Sequence, residues 1–284
     1  MPGDCHIHMV LDGIDFRSAI AHQKEKPDEA LLRSRLACYA ARGITYLRDG
    51  GDAWGVSLMA AELAQEYGIT YRSPAFPICR RGHYGTFLGR AFETMEEYLN
   101  LLRQVKAQGG HFVKLMLSGI MDFSQYGCVT DTFYGKALIC DLVHAAHDAG
   151  FAVMAHANGT EAIGAALEAG VDSLEHGAYM DEETLHHLAQ SHTVWVPTVI
   201  PVAVHRGKGQ FPDAVLEPLV QLHLQNIAKA AQWGAAIALG TDAGAALVYH
   251  HNAVEQELEL LRQALGEKTE QILQAGEAKI KAVF

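Results

Sequence analysis

Eight short apolar, β-rich runs in strict alternation with stretches of helical periodicity predict an α/β fold, the (β/α)8 or TIM barrel. Length agrees: a complete eight-fold barrel needs about 250 residues. With 284 present, residues 1–284 are expected to form a single domain. The remaining choice is between a closed barrel and an open doubly wound sheet. The first strand runs into His6-Ile7-His8-Met9-Val10-Leu11-Asp12-Gly13 without a glycine-rich phosphate loop, which favours the barrel.

Strands are expected near Asp4 to Met9, Thr45 to Asp49, Tyr71 to Ile78, Phe112 to Leu117, Ala152 to Ala157, Ser173 to His176, Val194 to Ile200 and Ile237 to Thr241. The helices between them carry start and stop signals. Pro27-Asp28 opens one that stops at Gly43, and Thr94 with Glu97 forms a capping box for another that ends at Gly109-Gly110. The helix from about Lys136 stops at Gly150, that of Thr160 to Ala169 stops at Gly170, and Asp181 to Gln190 has an acidic first turn. Two more are expected from about Pro212 to Trp233 and from Asn252 to Leu265, then a helical segment to Phe284. Tandem repeats, low-complexity tracts and Pro/Ser-rich linkers are missing, so no domain boundary is expected.

Hydrophobic residues at 49% and charged residues at 19% suit a soluble globular chain with a large core. No apolar run reaches the ~18 residues of a membrane span. Met1 to His8 has neither a basic nor an apolar leader segment, so the cytoplasm is the expected location. A formal net charge of -11 without a basic cluster argues against nucleic acid as a partner. Five dispersed cysteines with no CxxC pair fit neither a disulfide framework nor a thiolate zinc site. The 16 histidines are the unusual feature.

Four of the expected strands end in histidine or aspartate. His6 and His8 are two apart, so both imidazoles point to one face of the first strand, the barrel interior. His156 closes the apolar fifth strand, His176 the sixth, and Asp242 leaves the eighth between glycines. A lone strand-end histidine is more often a hydrogen-bonded core residue, but barrel active sites lie at these C-terminal strand ends and here several converge. Lys114 interrupts the apolar run Phe112-Val113-Lys114-Leu115-Met116-Leu117. A buried unpaired ammonium is costly or loses its proton, and a neutral amine can add CO2 to give a carbamate whose two oxygens each bind a metal. Of the other histidines, His144, His147, His186 and His187 are expected on helix surfaces, while His250 and His251 follow the eighth strand and could face either way.

The ordered set His6-x-His8, Lys114 in Val-Lys-Leu-Met-Leu-Ser-Gly, His156 in Ala-His-Ala, His176 in Glu-His-Gly and Asp242 in Gly-Thr-Asp-Ala-Gly resembles the amidohydrolase superfamily. It is most similar to the branch of Xaa-Pro dipeptidases and imidazolonepropionase-like enzymes, from Asp4 to about Leu265. That resemblance implies two divalent ions. His6, His8 and Asp242 would hold the more buried one, His156 and His176 the more exposed one, with carboxylated Lys114 as the bridge. Zinc is the expected metal, though the ligand types also admit manganese, iron or cobalt. A bridging hydroxide would attack a C–N amide, with Asp242 moving its proton. Relatives usually carry a small β-sandwich from segments flanking the barrel; this chain begins at the first strand and is expected to lack it. The usual Asn-containing segment is not recognisable in Gln274 to Phe284.

The expected partner is a small-molecule amide, with a homo-oligomer left open. Cationic and glycine residues gather after the third strand, in Cys79-Arg80-Arg81-Gly82-His83-Tyr84, where Arg80 or Arg81 could pair with a substrate carboxylate and His83 with a carbonyl or oxyanion. His83 is thus a second catalytic candidate. Tyr126 and His205, on later loops, complete the expected substrate contacts. Two other classes compete with the binuclear hydrolase: a mononuclear deaminase using His6, His8, His156 and Asp242, and a barrel that binds a small molecule without catalysis.

Overall fold

The computed structural model describes all 284 residues. In chain order the elements are β1 (Asp4–Ile7), α1 (Phe16–Gln23), α2 (Glu29–Ala41), β2 (Tyr46–Asp49), α3 (Val56–Ala64), β3 (Thr70–Arg72), β4 (Pro77–Arg80), β5 (Arg90–Phe92) and α4 (Met95–Ala107). Then follow β6 (Val113–Met116), α5 (Lys136–Asp148), β7 (Val153–Ala157), α6 (Thr160–Ala169), β8 (Ser173–His176), α7 (Glu182–Gln190) and β9 (Val194–Val196). The last are α8 (Ile200–Ala203), α9 (Asp213–Gln232), β10 (Ala236–Ile237), α10 (Ala253–Leu265) and α11 (Thr269–Val283). No helix is long and apolar enough to cross a membrane.

All strand pairings are parallel, in sheets of order β1-β2-β3 and β10-β9-β8-β7-β6-β4-β5. Parallel strands alternating with helices make this an α/β fold of the TIM-barrel type. The expected third strand is split in two. Ser73 Oγ accepts the Ala75 amide at 3.0 Å, and Ala75 sits in the left-handed region at φ 64°, so the chain turns between β3, which pairs with β2, and β4, which pairs with β6. One bent segment thus serves both sheets. The expected eighth strand is regular only over β10. Beyond it Leu239 O accepts the Cys5 amide (2.8 Å), His6 O accepts from both Thr241 (3.2 Å) and Asp242 (2.7 Å), and Ala243 O accepts from His8 (2.8 Å). Two donors converging on one carbonyl break the ladder's spacing while still joining this segment to β1.

The capping signals act as expected. Asp28 and Asp181 accept the amides of Leu31 (3.1 Å) and Thr184 (2.9 Å), and Thr94 accepts that of Glu97 (3.2 Å). β5, α1, α3 and α8 are not among the elements expected from sequence. The first two have three and eight residues, too few for a periodicity to show, and the strand expected over Val194 to Ile200 stops at Val196, with α8 starting at Ile200.

At the end away from the strand C-termini, α11 packs across the barrel. Cys5, Tyr46, Phe112, Met154, Val194, Val196 and Ala238 are buried together with Ile280 and Phe284. Gly276 permits this approach, because a Cβ there would overlap the Ile237 carbonyl.

Candidate metal centre

The strands deliver their polar termini into one cavity of about 550 Å³, whose wall includes His6, His8, Lys114, His156, His176 and Asp242. All six expected metal ligands therefore face a common space. His6, fully buried, is oriented by Glu175: its Nδ1 lies 2.7 Å from Glu175 Oε2. Glu175 Oε1 in turn accepts from Arg48 Nη2 (2.8 Å) and Ser173 Oγ (2.6 Å). A carboxylate held by these donors assigns the imidazole proton to Nδ1 and leaves the Nε2 lone pair free. That Nε2 is buried and has no partner.

Asp242 Oδ1 stands 3.6 Å from His6 Nε2 and 3.2 Å from His8 Nε2, and the three side chains offer ligand atoms within 4.8 Å of one another. Gly50, at the end of β2, leaves room for the His8 ring, which a Cβ there would overlap. His156 and His176 stand beside this trio, with ring centroids 4.5 Å apart and His176 5.0 Å from His6. His156 Nε2 faces the Gly119 carbonyl at 3.1 Å, which can only accept, so its lone pair is on Nδ1. His176 Nδ1 meets Thr198 Oγ1 at 2.6 Å, while its carbonyl accepts from Trp195 Nε1 (2.9 Å) and His223 Nε2 (3.0 Å).

Two of the six have left-handed backbones, His176 at φ 65° and Asp242 at φ 58°. Such strain costs of order 1–3 kcal/mol per residue and collects at functional sites. Burial, then the charge of Lys114, pushes His156 down to about 3; burial likewise lowers His6 and His176. All three are thus held as neutral imidazoles, the form that binds metal. Burial also lowers Lys114 to about 8, and its Nζ has no hydrogen-bond partner and no carboxylate in salt-bridge contact.

The substrate side differs from the sequence expectation. Arg81 points outward, 3.4 Å from Glu93 and 3.7 Å from Glu97, and is absent from the cavity wall. Arg80 is also outside that wall, its amide donating to Tyr134 OH at 2.8 Å. His83 is held by Asp131, with Nδ1 3.1 Å from both carboxylate oxygens; it ties two loops together and leaves the wall to Tyr84. Tyr126 is 45% exposed, edge-on to Tyr179, and does not line the cavity. His205 does line it, buried. A local arginine run signals a loop but not which way its side chains turn, and here two glutamates draw Arg81 away.

The wall instead contains Arg17, Tyr84 and Asn158. Asn158 lies two residues past His156, a spacing that could have revealed it; Tyr84 adjoins His83; Arg17, in the first turn of α1, had no signal of its own. Glu175 and Arg48 also escaped notice as a pair, since 127 positions separate them. His250 is buried, bonded to Tyr39 OH (2.9 Å) and Leu11 O (3.0 Å), and His144, His147 and His186 are exposed.

The model of the Amidohydrolase family matches residues 3–276. Ochratoxinase of Aspergillus niger is 28% identical over 85% of this chain and 57% of its own length. The chain thus spans little more than half of that relative. The A. niger ochratoxinase crystal structure superposes with a TM-score of 0.80 at 23% identity, covering 97% of this chain and 69% of that one. A prolidase complexed with N-methylphosphonate-L-proline gives 0.76 at 23% identity, covering 100% and 75%. A Xaa-Pro dipeptidase with methionine bound in its active site gives 0.74 at 22%, covering 96% and 73%.

Proposed function

The chain belongs to the amidohydrolase family, and from that premise we propose that it is a metal-dependent hydrolase of small amides with a binuclear centre in a single closed barrel. The observation that carries the reading is the set of six ligand-type side chains around one cavity, among them buried His6 Nε2 and Lys114 Nζ without partners. Buried polar atoms of that kind are costly unless something meets them, and divalent ions fit this donor set of imidazoles, a carboxylate and an amine open to carboxylation. His6, His8 and Asp242 would hold one ion, His156 and His176 the other, with the Lys114 carbamate between. Zinc suits imidazole and carboxylate ligands. When bound, such ions supply Lewis acidity toward a carbonyl oxygen and acidify water.

The chain's own residues do the rest. The Glu175 carboxylate fixes the His6 tautomer, and the buried Arg48 guanidinium keeps that carboxylate paired. In the hydrolysis, water oxygen bonds to the carbonyl carbon and the C–N bond breaks. Asp242 takes the water proton on its carboxylate and returns it to the departing nitrogen, so an acid and an amine leave. N-acyl amino acids, Xaa-Pro-like dipeptides and cyclic amides are the first candidates, in keeping with the Xaa-Pro dipeptidase and prolidase among the similar structures. The test is turnover of a panel of these by protein loaded with zinc and bicarbonate. Activity on at least one amide is expected; deamination of nucleobases with no amide turnover would overturn the reading.

One observation favours a mononuclear deaminase as the second reading: only His6, His8 and Asp242 form a group of three ligand atoms within 4.8 Å. Metal stoichiometry separates the two.

A further inference from the structure

The outer part of the cavity contrasts with its floor. Seven large hydrophobic side chains are exposed on the protein, and three of them, Ile14, Phe16 and Ile120, line this one cavity. Singly scattered apolar side chains need no explanation, but a cluster at the mouth of a polar site marks a surface that something covers. The aromatic groups there are continuous: Phe16 meets Phe87 edge-on at 5.4 Å, Phe87 meets Tyr84 at 5.6 Å, and Tyr84 stacks on His156 at 5.1 Å. Phe123, also in the wall, packs on His205 at 5.5 Å. A path of ring faces and edges thus leads from solvent to an expected metal ligand.

We propose that this outer chamber is a specificity pocket for an aromatic group carried by the amide substrate, with Phe16, Phe87 and Phe123 as its determinants. The proposal rests on the amide-hydrolase reading and adds which amides are taken. Rings prefer edge-to-face and offset-stacked partners, which these walls offer, and a cavity of about 550 Å³ has room for a bicyclic ring beside a small polar end. Small acyl groups such as acetyl leave the chamber wet and gain nothing from it. Burial of a ring corresponds to roughly 10- to 100-fold in affinity.

The test uses metal-loaded protein and two uncleaved ligands that differ only in the group at issue, 2-naphthylsulfonylglycine and methylsulfonylglycine, measured by calorimetry. The naphthyl ligand is expected to bind roughly 10- to 100-fold more tightly. Phe87→Ala and Phe123→Ala should remove most of that difference and leave the methyl ligand within about twofold; if either fails to fold, Phe16→Ala, at a side chain 42% exposed, carries the same comparison. Equal affinities, or variants that weaken both ligands alike, would overturn the proposal. Hydrolysis of 2-naphthoylglycine beside acetylglycine keeps the two readings apart. Naphthyl binding that depends on these phenylalanines, without turnover of any amide, upholds the chamber and removes the hydrolase; turnover of both amides with equal kcat/KM does the reverse.

Discussion

A buried guanidinium, Arg48, supports the proposed metal ligand His6 through one intermediary. It donates to Cys5 O (2.7 Å), Ser173 Oγ (2.8 Å) and Glu175 Oε1 (2.8 Å), and Glu175 then orients His6. Glu175→Gln would leave that guanidinium without its counter-charge and weaken the hold on His6 Nδ1. The expected loss is about 10- to 100-fold in metal affinity, read by chelator competition, and about 3–5 kcal/mol of stability for breaking a buried pair, read by denaturant titration. Unchanged metal affinity would show that Glu175 serves the fold alone. At the cavity itself, Asp242→Asn should keep at least one ion yet lower kcat by about 10²-fold, the scale of a lost general acid-base group. Arg81, expected from its sequence position to meet substrate, faces away from the cavity, and Arg17 lines it instead. Arg81→Ala removes only exposed ion pairs worth about 0–1 kcal/mol and should leave KM unchanged, whereas Arg17→Ala, in the cavity wall, should raise KM for amides that carry a carboxylate. Steady-state kinetics on one such amide checks both.

Among the elements, α10 and α8 are joined by a carboxyl without an adjacent cation. Glu257 accepts the amides of Val199 (2.9 Å) and Ile200 (2.8 Å), and burial raises it from 4.5 to about 8 against those hydrogen bonds. Between those two values the folded carboxyl keeps a proton that the unfolded one has released. Folding therefore takes up a proton, and this group's contribution falls as pH climbs from about 4.5 to 8. Thermal unfolding at a series of pH values should show a decline that Glu257→Gln flattens; parallel curves for the two proteins would contradict it. The floor helix gives a steric prediction. Gly276→Ala puts a methyl against the Ile237 carbonyl, so Tm should drop by several degrees, as expected for overpacking of about 1–3 kcal/mol.

For the molecule as a whole, legibility followed the range of the signal. His6, His8, Lys114, His156, His176 and Asp242 could be read because each sits on or leaves an apolar run whose period fixes its direction, and all six line one cavity. The βα alternation was equally plain, since strands and helices bury their apolar residues with different periods. Apart from Asn158, what escaped has no local mark. The Arg48–Glu175 pair depends on distant strands meeting, β5 is three residues long, and the outward turn of Arg81 is decided by Glu93 and Glu97. The unfamiliar C-terminal segment still fills the barrel floor, because Ile280 and Phe284 supply apolar volume whatever its polar motif.

The most direct measurement is the number of divalent ions per chain at saturation, determined by elemental analysis with bicarbonate present, for the unaltered protein beside Lys114→Ala. The account predicts two ions in the first and fewer in the second, with short carboxylates partly restoring the lost ion by occupying the vacated bridge. An unaltered protein that hydrolyses amides at full rate while never holding more than one ion, and that Lys114→Ala matches in both respects, would contradict it.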